Sequence, residues 1–193
     1  MKILKILFTG IFLLGAASVN ATLIDVKTII VQHSGNSAIA PNQRWLQVSE
    51  VIATQTGTGA DLALASAGAT ASGTGNWNSS SNPNKTIDGI TYAAFPDIYH
   101  ANSTSLSEAL TITLAVPSSL DFISIFGRQG CCEFRDIYNV TVLNTSGDTI
   151  FRATNLDASG SSGVTVAVPE PASIAILGLG LLGLGVSRRT IKL

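Results

Sequence analysis

Between its two ends the chain reads as an all-β sandwich, and three observations carry that reading. Leu110-Thr-Ile-Thr-Leu-Ala-Val116 alternates apolar and polar residues with a period of two, which predicts Leu110, Ile112, Leu114 and Val116 on one face of a strand. Similar short apolar runs recur between clusters of Gly, Ser, Asn and Asp, the punctuation of strands and turns. No segment between the ends sets apolar residues at helical spacing against a polar opposite face.

Taken in order, the predicted strands are 26–31, 46–52, 62–65, 110–116, 122–126, 138–142, 149–153 and 164–168. Tyr138-Asn-Val-Thr-Val142 repeats the strict alternation, and Ser146-Gly147-Asp148 between it and the next run predicts a hairpin turn. Residues 67–92 break the pattern, being nearly free of large aliphatics and crowded with Gly, Ser, Asn and Thr. They predict a long surface loop, ordered because Trp77 and Tyr92 give it something to bury.

The two ends are of another kind. Residues 1–21, MKILKILFTGIFLLGAASVNA, set Lys2 and Lys5 before an apolar run and end on Val19-Asn20-Ala21, with small side chains at the −3 and −1 positions. That is the pattern of a secretory signal peptide, here a helix expected to be cleaved after Ala21. At the other end VPEPASIAILGLGLLGLGVSRRTIKL places two prolines, an uncharged apolar run and a basic cluster in that order. The run is shorter than the roughly 20 residues of a comfortable bilayer span, and the basic residues after it predict a cytoplasmic end. A short, weakly inserting helix suits transient inner-membrane anchoring. Gly178-Leu-Gly180-Leu-Leu-Gly183 spells a dinucleotide fingerprint, but no strand precedes it and no βαβ unit follows.

This tail resembles the PEP-CTERM sorting signal of Gram-negative bacteria over residues 168–193. The resemblance rests on Val168, Pro169, Glu170 and Pro171, the apolar helix, and Arg188 and Arg189. It implies an exosortase as partner, cleavage near the prolines, and release to the cell surface or the extracellular matrix.

Charge and motif content narrow the function of the middle, residues 22–167. It holds six basic residues (Lys27, Arg44, Lys85, Arg128, Arg135, Arg152) and eleven acidic ones, a net charge of 6 − 11 = −5. An acidic surface repels phosphate backbones, so no nucleic-acid partner is expected. The chain has 2 histidines, and the middle contains no G-x-S-x-G elbow, H-E-x-x-H helix or phosphate loop. His33 reads as the end of a strand beside a Ser-Gly turn, and no enzymatic activity is expected.

The only 2 cysteines are neighbours, Cys131 and Cys132, in the turn FGRQGCCEFRD. Neighbouring Cα atoms lie about 3.8 Å apart, closer than in ordinary disulfides, so a bond between them staples no distant segments. Zinc would need further ligands, and His33 and His100 have no metal-like spacing to the pair. Secretion favours oxidation, which predicts a vicinal disulfide with a rigid, apolar, sulfur-faced turn as its product. Arg128 and Arg135 flank it. Two readings of those arginines stand: donors to a ligand, or ion pairs with Glu133, Asp136 or Asp121 that hold the turn.

The order of "RWLQVSEV", "GADLALASAGATASG", "TIDG", "LTITL" and "IFGRQGCCEFR" resembles that of galactose-binding-like domains. These include the discoidin or coagulation-factor type C group and the fucose-binding F-type lectins. The resemblance implies a jelly-roll β-sandwich with ligand loops at one end. For the F-type lectins it further implies a carbohydrate site of His100, Arg128, Cys131, Cys132 and Arg135, in which the disulfide meets the apolar face of a sugar. The chain departs from that pattern twice. His100 lies one position further from Arg128 than usual, and Gly130 stands where the family has an aspartate. The same resemblance implies a Ca²⁺ ion held at Asp88 of "TIDG", with Asp97 a further candidate. The expected partner is a cell-surface or exopolysaccharide glycan. The alternative is a structural or adhesive biofilm-matrix protein with no specific ligand.

Overall fold

The computed structural model describes residues 23–167. The predicted signal helix, the sorting helix and the sorting residues Val168, Pro169, Glu170, Pro171, Arg188 and Arg189 lie outside them. Nine strands follow in chain order: β1 (Leu23–His33), β2 (Gln47–Val48), β3 (Glu50–Gln55), β4 (Thr70–Gly73), β5 (Tyr99–His100), β6 (Ala109–Phe126), β7 (Ile137–Asn144), β8 (Thr149–Asp157) and β9 (Val164–Ala167). The helical content of the described residues is confined to short 3-10 turns at Pro41–Gln43, Ala65–Ala67, Pro83–Thr86 and Glu133–Arg135. All strand pairings are antiparallel, and the predicted all-β class holds in a form consistent with a β-sandwich.

One strand organises the larger sheet. Its path runs β3-β6-β1-β7-β8, with β4 and β9 also on β6, while β2 and β5 form a separate two-stranded ribbon. The first part of β6 lies between β1 and β4, pairing Ile112 with Ile29 and Ala71. Its last part lies between β3 and β9, pairing Ile125 with Val51 and Val164. The predicted strands 110–116 and 122–126 are thus one 18-residue strand. Leu110, Ile112 and Leu114 are buried as predicted, but Val116 is 63% exposed and does not share their face. The alternation fails at Ala115, Val116 and Pro117, all exposed, returns with Leu120 buried, and continues in the other phase with Ile123 and Ile125 buried. Leu120 is still buried in the first phase, so the change falls between Leu120 and Ile123, where the pairing with β3 also shifts register between Thr54 and Gln55.

Other boundaries move for similar local reasons. The predicted strand 46–52 is split into β2 and β3 at Ser49, whose N–H donates to the Phe126 carbonyl at 2.8 Å. Residues 62–65 are not a strand; they lead into the 3-10 turn at Ala65–Ala67. The 146–148 turn closes the β7–β8 hairpin, with the Asn144 N–H donating to Asp148 at 3.0 Å. The 67–92 region contains β4 and the Pro83–Thr86 turn, but Trp77 and Tyr92 are 54% and 58% exposed. What that region buries instead is Ala69, Ser81, Thr86 and Ile87, and its two large aromatics lie at the surface.

The core is built mainly from β1, β6 and β7. Ile29 of β1 is fully buried, with Ile112 on one side and Val142 on the other. Ile29→Ala is expected to lower unfolding free energy by about 2–5 kcal/mol in urea denaturation, because the cavity it leaves lies between two ladders. Ile24→Ala on the same strand, where Ile24 is 65% exposed, should change it by less than about 0.5 kcal/mol.

Candidate functional site

The ribbon of β2 and β5 sets the first side chain of the site. Gln47 pairs with His100 and Val48 with Tyr99, and the Ala101 N–H donates to the Leu46 carbonyl at 2.9 Å. Trp45 therefore enters the ribbon directly beside His100, their ring centroids 5.3 Å apart. The 67–92 region is stitched to the same strand, since the Trp77 N–H donates to the His100 carbonyl at 2.8 Å. That bond brings Trp77 edge-on to Trp45 at 5.1 Å and to 5.4 Å from the His100 ring. Phe95 is the third ring, standing edge-on to His100 at 6.0 Å. His100 is thus only 7% exposed and surrounded by rings.

The cysteine turn approaches this cluster from the end of β6. The Gln129 N–H donates to the Ala93 carbonyl at 3.0 Å, and the Arg128 guanidinium carbon lies 5.5 Å from the centre of the Phe95 ring, a cation–π contact. Cys131 and Cys132 are disulfide-bonded to each other, as predicted. Cys131 is exposed and Cys132 half-buried, and Cys132 begins the 3-10 turn Glu133–Arg135 in the left-handed conformation, φ 65°. Arg135 leaves that turn with its Cζ 5.3 Å from the Phe134 ring centre, and its guanidinium donates to Gln43 Oε1.

His100, Arg128 and Arg135 are electrostatically one group. The His100 Nδ1–H points at the Ala101 carbonyl, 2.7 Å away, which leaves Nε2 as an acceptor when the ring is neutral. Burial depresses the His100 pKa, and the positive charges of Arg128 and Arg135 depress it further, against the pull of that carbonyl. Arg135 is likewise pushed below its usual range, by burial first and by Arg128 second. The ion-pair alternative for the arginines is not what the structure contains. Among the described residues the only ion pair is Lys85–Asp97 at 2.8 Å, so neither Glu133 nor Asp136 is in a salt bridge with either guanidinium. The Nε atoms of Arg128 and Arg135 are both buried without a hydrogen-bond partner.

Gly130, at the family's aspartate position, is exposed at φ +78° with open space around it, so no carboxylate is present there. Asp136 does not replace it. Its carboxyl is 1% exposed and lies under Gly127, where a Cβ would meet Asp136 Oδ2 at 2.2 Å; only glycine fits there. The Tyr138 hydroxyl lies 3.0 Å from Asp136 Oδ1 and donates its single proton to the Gln47 carbonyl as well. A protonated Asp136 resolves that competition by donating to the Tyr138 oxygen, and burial raises its pKa from 3.8 to about 8. The acid thereby links the base of the cysteine turn to the β2 backbone.

The acidic residues proposed for calcium lie elsewhere on the surface. Asp88 is exposed, and its Oδ1 accepts from the Ile90 N–H at 3.0 Å. Asp97 is committed to Lys85. A residue not singled out from sequence, Glu50, is fully buried nearby. Its Oε2 accepts from the Gly89 N–H at 3.2 Å and its Oε1 has no partner. Burial, with Asp88 second, raises its pKa to about 8. Among the described residues no group of three or more His, Cys, Asp or Glu is placed to hold a metal ion. Trp45, Trp77, Phe95 and Gln43 were also not legible as site residues, because their positions in sequence carry no shared spacing.

The buried acid has a pH signature. A group whose folded pKa is raised binds its proton more tightly in the native state, so its contribution to stability is lost as pH rises. For Asp136 the loss runs from about 3.8 to about 8. Asp136→Asn keeps a neutral donor beside Tyr138, and denaturation midpoints across that range should fall less steeply in the variant than in the wild type.

The family model of the PEP-CTERM protein-sorting motif matches residues 167–189. No curated protein and no solved structure matches the chain. The motif identifies an exported protein that is anchored transiently in the membrane and sorted by an exosortase.

Proposed function

We propose that residues 23–167 form a non-catalytic, carbohydrate-binding domain, carried to the cell surface or extracellular matrix by the sorting motif. The observation that supports this reading best is the meeting of His100, three aromatic rings and the Arg128 side chain next to the Cys131–Cys132 turn. Ligand sites combine apolar surface with a few fixed polar groups, and a sugar ring presents both kinds of partner. In this reading, Trp77 and the disulfide cover C–H faces, the guanidiniums donate to ring substituents, and His100 Nε2 accepts from a hydroxyl. A guanidinium presents a rigid fork of donors, which favours two adjacent oxygens over one. With Gly130 in place of an aspartate, strict fucose recognition is not part of the proposal.

The direct test is a glycan array with the full-length protein. Arg128→Ala and Arg135→Ala are each expected to weaken binding roughly tenfold or more, the effect of losing a charge-assisted hydrogen bond, while the melting transition is kept. Binding that survives both substitutions would remove the proposal, and a wild-type array with no signal would favour a matrix protein without a specific ligand.

Calcium enters the proposal at one place. The unpartnered Glu50 Oε1 and the Asp88 carboxylate offer hard oxygens next to the 88–90 backbone, a donor set that suits Ca²⁺ if carbonyls complete it. Saturating calcium is then expected to raise the melting temperature by about 5 °C or more over a chelated sample, a shift that Glu50→Gln removes. Identical melting curves would leave Glu50 and Asp88 as a turn with a buried neutral acid.

A further inference from the structure

Arg128 and Arg135 flank the cysteine turn, and among the described residues neither is within ion-pair distance of a carboxylate. Their Nε atoms are both out of solvent and unpartnered. The Arg135 fork spends one donor on a neutral amide, Gln43, and the Arg128 fork lies over an aromatic ring. Of the acidic residues of the same turn only Asp136 bears on this charge, from a buried position and without forming an ion pair. Glu133 is exposed and outside ion-pair distance of both arginines, and Asp136 is buried behind the turn with its oxygens turned to Gly127 and Tyr138. Beside Gly130 the turn is open, since a Cβ there would touch nothing within 4 Å. Beyond burial, the cost of the arrangement is the repulsion of the two cations, Arg128 pushing Arg135 further below its usual range, and an anion placed between them would relieve it.

Resting on the carbohydrate reading, we infer that the preferred ligand is an acidic sugar whose carboxylate docks between Arg128 and Arg135. A planar carboxylate matches a guanidinium fork with two parallel N–H···O bonds, which neither a hydroxyl nor an ester reproduces. Trp45, Trp77 and Phe95 then set which ring face lies against the protein, and His100, neutral, contributes an acceptor rather than a third positive charge.

The inference is tested on the ligand side, where no variant has to fold. Binding of galacturonate, its methyl ester, galactose and galactose 6-sulfate to the full-length protein is followed by tryptophan fluorescence and calorimetry. The expected result is that galacturonate binds at least about tenfold more tightly than the ester or galactose, with an advantage that shrinks as salt rises. Arg128→Lys, which keeps the charge but not the fork, should lose most of that advantage. Equal affinity for galacturonate, its ester and galactose would overturn the acidic-ligand inference and leave the carbohydrate proposal intact. Equal or tighter binding of the sulfate would overturn the assignment to a carboxylate. Failure of all four sugars to bind would overturn both.

Discussion

The cysteine turn is held in place by a carboxyl group that the chain hides. Asp136 lies beneath Gly127, at a distance no other residue at 127 would permit, and reaches the β2 backbone through Tyr138. Because its two ends meet over that acid, the 127–136 segment closes on itself, with Arg128 against Phe95 and Arg135 donating to Gln43. The Ala158 N–H, which donates to the Asp136 carbonyl at 2.8 Å, ties the same point to the end of β8. The disulfide contributes differently. Joining adjacent residues, it closes no loop of the fold and acts only on the shape and surface of the turn.

From that seat the rest of the site follows by proximity. Arg128 reaches Phe95, Phe95 reaches His100, and His100 is enclosed by Trp45 and Trp77. Burial and the two guanidiniums act in the same direction on the imidazole, so its charge is suppressed where it would add to theirs. A neutral histidine with a fixed Nδ1–H is an acceptor, which complements the donor-only arginines around it. The division of labour is one of hydrogen-bond polarity.

Legibility in the sequence varied with how local each signal was. The strict alternation of 138–142 and the turn at 146–148 are local, and β7, β8 and their hairpin stand where expected. β6 reads as two apolar runs, 110–116 and 122–126, because its change of phase depends on having different neighbours at its two ends. β4 was missed since Thr70-Ala71-Ser72-Gly73 has no large apolar residue to mark a face. The adjacent cysteines and flanking arginines were conspicuous in composition. The aromatic ring around His100 was not, because Trp45, Trp77 and Phe95 lie on separate loops that only the ribbon and its hydrogen bonds bring together. Nor could the sequence show that Asp136 is buried, since a charged residue in a turn is ordinarily at the surface.

The central claim is therefore one of convergence: two guanidiniums, carried on a turn seated by a buried acid, bear on a single imidazole. Titration of the His100 ring by NMR, in the wild type and in the double variant Arg128→Gln, Arg135→Gln, measures this without any ligand. The account predicts a wild-type pKa below the ordinary histidine value of about 6.5 and a clear rise toward it in the double variant. A His100 titration that is the same in both proteins would contradict the account.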